Sequence, residues 1–323
     1  MNVMRWLLDS DPAIRWQAMR DLTDANEKAV AIERARVATE GWGARLLEFQ
    51  SPRGYWGGRD DPGWMTTVWS LALLKDLGAD PDSKQVRRAV SRVRKHIRWD
   101  RFPGCGPYFD GETEPCLNGA ILASGAYFGE PSKHLLKRLL GEQLEDGGWN
   151  CEAPKSTRSS FHSTICVLEG LVEYEKACGP SAALRKARTR AENYLLERRM
   201  LRSLSSGEVI NRRWMRFAFP TRCWYDVLRG VDYLRRAGVK PDARAAEAID
   251  IVTQRRHQNG LWPLNYAHQH LIPFEMEAGV GRASHWNTLR ALRVLKWYQN
   301  DPSRSDDIAR SVKQPMTRRP RVR

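Results

Sequence analysis

The chain has 323 residues, of which 53 are basic and 38 acidic, so its formal net charge is +15; hydrophobic residues make up 41%. That is enough chain and enough apolar content to bury a sizeable core. No apolar run approaches the ~18 residues of a membrane span. The six irregularly spaced cysteines do not make a disulfide scaffold and predict a reduced, cytoplasmic protein.

The start MNVMRWLLDSDP sets acids directly after a short apolar run, which argues against a signal peptide. Residues 310–323 hold six basic residues and no acid. With two prolines and no periodicity, residues 304–323 are expected to form a flexible basic tail behind one domain spanning 1–303. The remainder stays basic, which suits an anionic partner or a solvated surface. The arginines are scattered and no helix-turn-helix, finger or RNA-binding signature occurs, so nucleic acid is an unlikely partner.

In chain order, the pattern is helical throughout. PAIRWQAMRDL (12–22) places proline in the first turn of an apolar helix. WGARLLEFQ (42–50), extending back toward Glu27, is amphipathic. The apolar segment 64–81 follows, then 84–97, whose Val86, Val90, Val93 and Ile97 form one stripe. The same alternation repeats with 115–131 and 132–144, 159–179 and 183–199, 221–241 and 243–256, and closes on 284–302. Most of the apolar segments end in glycine with proline soon after, which are helix stop signals. No strand-like alternation of useful length appears. An apolar helix therefore alternates with an amphipathic one about six times. The 44-to-63-residue spacing of the apolar helix starts is longer than that of typical open arrays, and it favours closure into a ring.

The loops QSPRGYW (50–56), QLEDGGW (143–149) and RHQNGLW (256–262) share Gly-x-Trp, and the first two share Gln-x-x-x-Gly-x-Trp. Glycine permits a left-handed turn there, and tryptophan can cover a helix end. Gln50, Gly54 and Trp56, like Gln143, Gly147 and Trp149, resemble the QW motif of squalene cyclases, whose helical toroid also occurs in protein prenyltransferase β-subunits. The resemblance covers roughly residues 10–300. It implies an all-α (α/α)6 toroid in which the more apolar helices form the inner ring and their N-terminal ends face a central cavity. For function it implies a terpenoid cyclase/prenyltransferase-like enzyme acting on an isoprenoid-like or other hydrophobic substrate. The alternative is a non-catalytic toroid module for a lipid, peptide or nucleic acid.

Four sets of residues could carry chemistry. The Asp-x-Asp-Asp proton donor of squalene cyclases is absent; Asp60 and Asp61, or the trio Asp110, Glu112 and Glu114 before an inner helix, are the nearest acids. Acids in that place also complement a helix N-terminus. Cys116, Cys151 and His162 fall at adjacent inner-ring ends and could hold zinc with an open fourth position, Asp146 or Cys105 completing the shell. Lanthionine-forming cyclases, on a related toroid, use a similar residue set. Packing is the other role for these residues, as it is for Cys166 and Cys178. Among the aromatics, Trp64, Trp69, Phe161, Trp224, Tyr225 and Trp286 sit near inner-helix starts, where they would line a substrate pocket or plug the barrel. Arg222 and Arg290 would meet a diphosphate or carboxylate, or pair with Asp226 or Glu169; Asn287 is a further polar residue on these helices. His268 and His270 form a His-x-His in an irregular loop, near His285.

Overall fold

The computed structural model describes residues 2–57, 64–99, 106–268 and 274–300. Asp60, Asp61, the Trp64 side chain, Cys105, His270 and the tail 304–323 lie outside the described residues.

The predicted alternation is present. Six inner helices carry the ring: α2 (Pro12–Leu22), α5 (Trp64–Leu77), α7 (Pro115–Tyr127), α9 (Phe161–Cys178), α11 (Val227–Arg236) and α13 (His285–Gln299). Outside them lie α3 (Glu27–Ala35), α4 (Gly41–Glu48), α6 (Lys84–His96), α8 (Lys133–Gly141), α10 (Ala182–Glu197) and α12 (Ala246–Gln254). A short leading helix, α1 (Val3–Leu8), packs on α2 and stacks Trp6 on His285 at 3.7 Å, at the start of α13. Among the described residues, strand-like pairing is limited to isolated bridges, and no helix is long and apolar enough to cross a membrane.

The ring closes on itself. The Trp16 indole of α2 donates to Leu77 O at the end of α5 at 2.9 Å. Helix α5 packs on α7, and α7 on α9. Arg229 of α11 pairs with Glu169 of α9 at 2.7 Å, and Arg290 of α13 approaches Asp232 of α11 to 3.6 Å. The last joint returns to the first helix: Arg293 donates to the Gln17 side chain at 2.7 Å and pairs with Asp21 at 2.6 Å.

The contact between α7 and α9 is the tightest in the ring. It depends on two glycines that set the backbones almost against each other. A Cβ on Gly119 would lie 2.4 Å from the Cys166 carbonyl, and one on Gly170 would lie 2.6 Å from Gly119 O. Nearly every residue of α7 is buried, which explains its unbroken apolar sequence.

The three Gly-x-Trp loops share one geometry. The indoles of Trp56, Trp149 and Trp262 donate to the carbonyls of Leu46, Leu139 and Val252 at 2.6, 2.7 and 2.6 Å, each ten residues back. The side chains of Gln50 and Gln143 bridge the loop glycine carbonyl and an outer-helix carbonyl, Ala89 O or Ala187 O. In the third loop Arg256 takes the glutamine's place and donates to Gly260 O at 3.2 Å. Gly54, Gly147 and Gly260 all have positive φ (89°, 101° and 85°), which explains the glycine at that place. Each loop thus ties the end of one outer helix to the chain that enters the next inner helix. Replacing the fully buried Trp149 with phenylalanine removes that bond and leaves a void beside Leu139 O, and should lower unfolding free energy by about 2 kcal/mol in urea titrations.

Two predicted boundaries shift. The apolar segment from 221 does not begin its helix until Val227, because Asp226 caps it by accepting from Arg229 N at 2.8 Å. Residues 221–226 form a turn in which Arg222 has a φ of 51°. The helix drawn back from 42 toward Glu27 is two helices, α3 and α4, separated by a short 3-10 turn (Arg36–Ala38).

Candidate functional site

A cavity of about 920 Å³ opens inside the ring, walled by α2, α3, α5, α9, α11, α13 and the end of α7. Exposed Arg20, Glu27 and Lys176 mark its mouth. Where the resemblance implied that inner-helix N-termini face the cavity, this one is lined largely by the C-terminal halves. Helix carbonyls converge there, and cations are favoured beside them.

The inner helices prove to be two-faced. On α11, Val227, Leu228, Val231 and Leu234 are buried apolar residues, while Arg229, Asp232, Arg235 and Arg236 turn to the cavity. On α9, Glu169, Glu173 and Lys176 recur at helical spacing, and on α13 so do Trp286, Arg290 and Arg293. In all, nine lysines and arginines and five carboxylates line the space. Ala126, Tyr127, Trp16, Val30, Phe219 and Trp286 supply apolar wall, and the last two are stacked at 4.5 Å.

Three of the carboxylates, Glu169, Glu173 and Asp232, are each shared among several cations. Burial works against the Glu169 charge, but Arg229, Arg236 and Lys75 more than offset it and hold the carboxyl at about 2. Glu173 is held at about 2 in the same way by Lys75, Arg236 and Lys176. Burial likewise opposes ionisation of Asp232, yet Arg235 and Arg290 keep its carboxyl well below the usual range. Burial pushes Arg293 down to about 10 despite Asp21. The cation excess has a visible loose end: Arg290 is only 5% exposed, and its Nη1 has no hydrogen-bond partner. A buried guanidinium nitrogen without an acceptor is costly unless a ligand supplies one.

A second, small pocket of about 30 Å³ shares Lys75, Asp76, Glu169 and Arg229 with the cavity and is lined further along the inner helices by Ala120, Ala123, Cys166 and Arg222. The other predicted site residues gather at or near the N-terminal ends of the inner helices. Asp110 accepts from Ser132 Oγ at 3.1 Å. Glu112 is 1% exposed and accepts from Glu114 N and from the Thr113 hydroxyl; burial raises its carboxyl. None of the three acids lines the described cavity.

Of the predicted zinc ligands, Cys116 and Cys151 do meet, but His162 is not with them. The donor atoms within 4.8 Å of one another are those of Glu114, Cys116 and Cys151. His162 Nδ1 instead accepts the Tyr225 N–H at 2.8 Å, and burial, with Arg229 nearby, pulls its pKa down to about 4. Asp146 is taken by Ser159, whose N–H donates to it at 3.0 Å. Cys116 donates toward Cys151, which raises the Cys116 thiol and lowers that of Cys151; Ser163 adds a second contact to the Cys151 sulfur at 3.2 Å.

The aromatics divide. Phe161 and Tyr225 are buried in a cluster with Trp214, and the Tyr225 hydroxyl donates to Met200 O at 2.6 Å. Trp224 is 49% exposed and stacks on His268. Arg222 donates to His268 O, and burial lowers its pKa to about 10. Asn287 spans Phe217 O and Pro263 O, while Cys166 is buried and Cys178 exposed. Of the predicted substrate-binding residues, Trp286 and Arg290 line the large cavity and Arg222 the small pocket beside it. The remaining cations were missed because charged residues spread along these helices mimic a solvated face. Their i, i+3/i+4, i+7 recurrence on helices that are otherwise apolar was the available signal.

No known protein-family model matches the chain, and no curated protein matches it. Among solved structures the chain is similar to the apo type II terpene cyclase MstE from Scytonema, at 17% identity and a TM-score of 0.45, covering 88% of this chain and 85% of that one. Variants of that cyclase in complex with its product merosterolic acid A and with its substrate geranylgeranyl dihydroxybenzoate give the same figures.

Proposed function

We propose that this toroid takes an amphiphilic small molecule into its barrel, binding an anionic head, a phosphate ester or carboxylate, against the cavity's arginines. The apolar body, isoprenoid-like in a terpenoid-cyclase-like enzyme, would lie along Trp16, Tyr127, Phe219 and Trp286. The observation that carries this reading is the buried, unpartnered Arg290 Nη1 in a cavity where cations outnumber carboxylates. An anion there would complete the arginine's hydrogen bonding, and charge-assisted bonds of this kind are worth about 1.5–3 kcal/mol.

Calorimetric titration tests it. Farnesyl diphosphate should bind at least tenfold more tightly than farnesol, and Arg290→Met should weaken the diphosphate by about tenfold or more. Added salt should weaken it further. Equal binding of the alcohol, or an Arg290→Met chain that binds the diphosphate unchanged, would sink the reading. Mass analysis of the recovered ligand separates an enzyme from a binding module: an enzyme returns a changed molecule.

A further inference from the structure

At the opposite end of α7, about 15 Å from the cavity by helical rise, we infer that Glu114, Cys116 and Cys151 bind a single divalent ion of the zinc class, leaving one coordination position open. The three donor atoms lie within 4.8 Å of one another, and Cys116 Sγ stands 3.5 Å from Glu114 Oε2. Tetrahedral zinc with bonds of about 2.3 Å to sulfur and about 2.0 Å to oxygen spaces a sulfur and an oxygen ligand by about 3.5 Å.

The local chain presents these donors. Glu114 occupies the N-cap position of α7, yet its side chain caps no helix N–H, so the carboxylate stays available. Cys116 follows in the first turn, behind Pro115. Cys151 arrives from the loop after Trp149, and its N–H and sulfur both rest on Ser163 Oγ, at 3.2 Å each, in the first turn of α9. That hydroxyl orients the thiol as outer-shell groups orient metal ligands. Two thiolates and a carboxylate leave one negative charge on a bound divalent ion, and the N-terminal ends of α7 and α9 offset it. Glu114 is exposed and Cys151 half-buried, so an ion has a way in from solvent. A disulfide between the two cysteines would need no carboxylate at the same point.

The test is titration of the reduced, full-length chain with Co²⁺ and then Zn²⁺. One Co²⁺ per chain should bind with sulfur-to-cobalt charge-transfer absorption, and Zn²⁺ should displace it. Cys116→Ser and Cys151→Ser should each cut that absorption and weaken binding by tenfold or more. Glu114→Gln should weaken binding by about tenfold while the thiolate absorption remains. His162→Ala should change neither. In the unmodified chain, Zn²⁺ should protect Cys116 and Cys151, but not exposed Cys178, from alkylation followed by peptide mass analysis. The assignment is overturned if no stoichiometric charge-transfer band forms, if it survives Cys151→Ser, if His162→Ala abolishes it, or if Zn²⁺ leaves both thiols as reactive as before.

Discussion

Glu169→Ala should cost the fold about 3–5 kcal/mol in urea denaturation, because it strands the Arg229 guanidinium inside the ring. Arg229 is 5% exposed and binds both Glu169 oxygens, at 3.2 and 2.7 Å. Its other contacts, to Arg222 O, Trp224 O and Cys166 Sγ, carry no full negative charge while the buried thiol stays protonated. The pH dependence follows from the same pair. The folded-state Glu169 carboxyl lies at about 2, below its ordinary 4.5, and Glu173 behaves alike. A depressed carboxyl stabilises the fold fully above the unfolded value and loses that contribution as pH falls through the folded one. Stability should therefore drop between about pH 5 and 2, and Glu169→Gln should flatten part of that slope. The same variant should bind an anionic ligand more tightly, since it removes one of the cavity's few negative charges. A loss below about 1 kcal/mol, or a pH profile identical to that of the unmodified chain, would show that Arg229 does not depend on this partner.

Gly119→Ala should be almost as damaging. The added methyl would sit 2.4 Å from the backbone of Cys166, and backbone cannot swing aside as a side chain would. Either α7 moves off α9 or the ring distorts, at about 3 kcal/mol. Gly141→Ala, at the end of α8 with nothing within 4 Å of the new methyl, is the matched control. It should be neutral or stabilise by about 0.5–1 kcal/mol. Thermal unfolding of the two variants side by side decides the matter: equal melting temperatures would mean that α7 and α9 have room to spare.

Much of the architecture is legible in the sequence because it is written in local signals. Pro12 opens α2, Gly78 and Gly179 end α5 and α9, and the Gly-x-Trp loops recur in step with the outer helices. The start of α11 was placed at 221, with Trp224 and Tyr225 in its opening turn, whereas Asp226 is a cap whose partner, the Arg229 N–H, is visible only once the turn is formed. The site was harder. That Cys116 and Cys151 lie near each other could be expected from their place in the chain, but that Glu114 rather than His162 stands beside them depends on side-chain directions no sequence pattern records. His162 spends its Nδ1 on the Tyr225 backbone. A central cavity was expected, but of its charged lining only Arg290 and Glu169 were singled out, because a charged helical stripe looks the same whether it faces bulk water or a hollow interior.

The joint between Arg293 and Gln17 spans 276 positions of chain. During synthesis the first helix must wait for the last before the circle can shut, and an arc lacking its clasp has its lumen laid bare. In a greasy barrel that interval would invite neighbouring arcs to stick together. Here the uncovered wall is studded with guanidinium and carboxylate groups that water solvates readily, which works against such sticking.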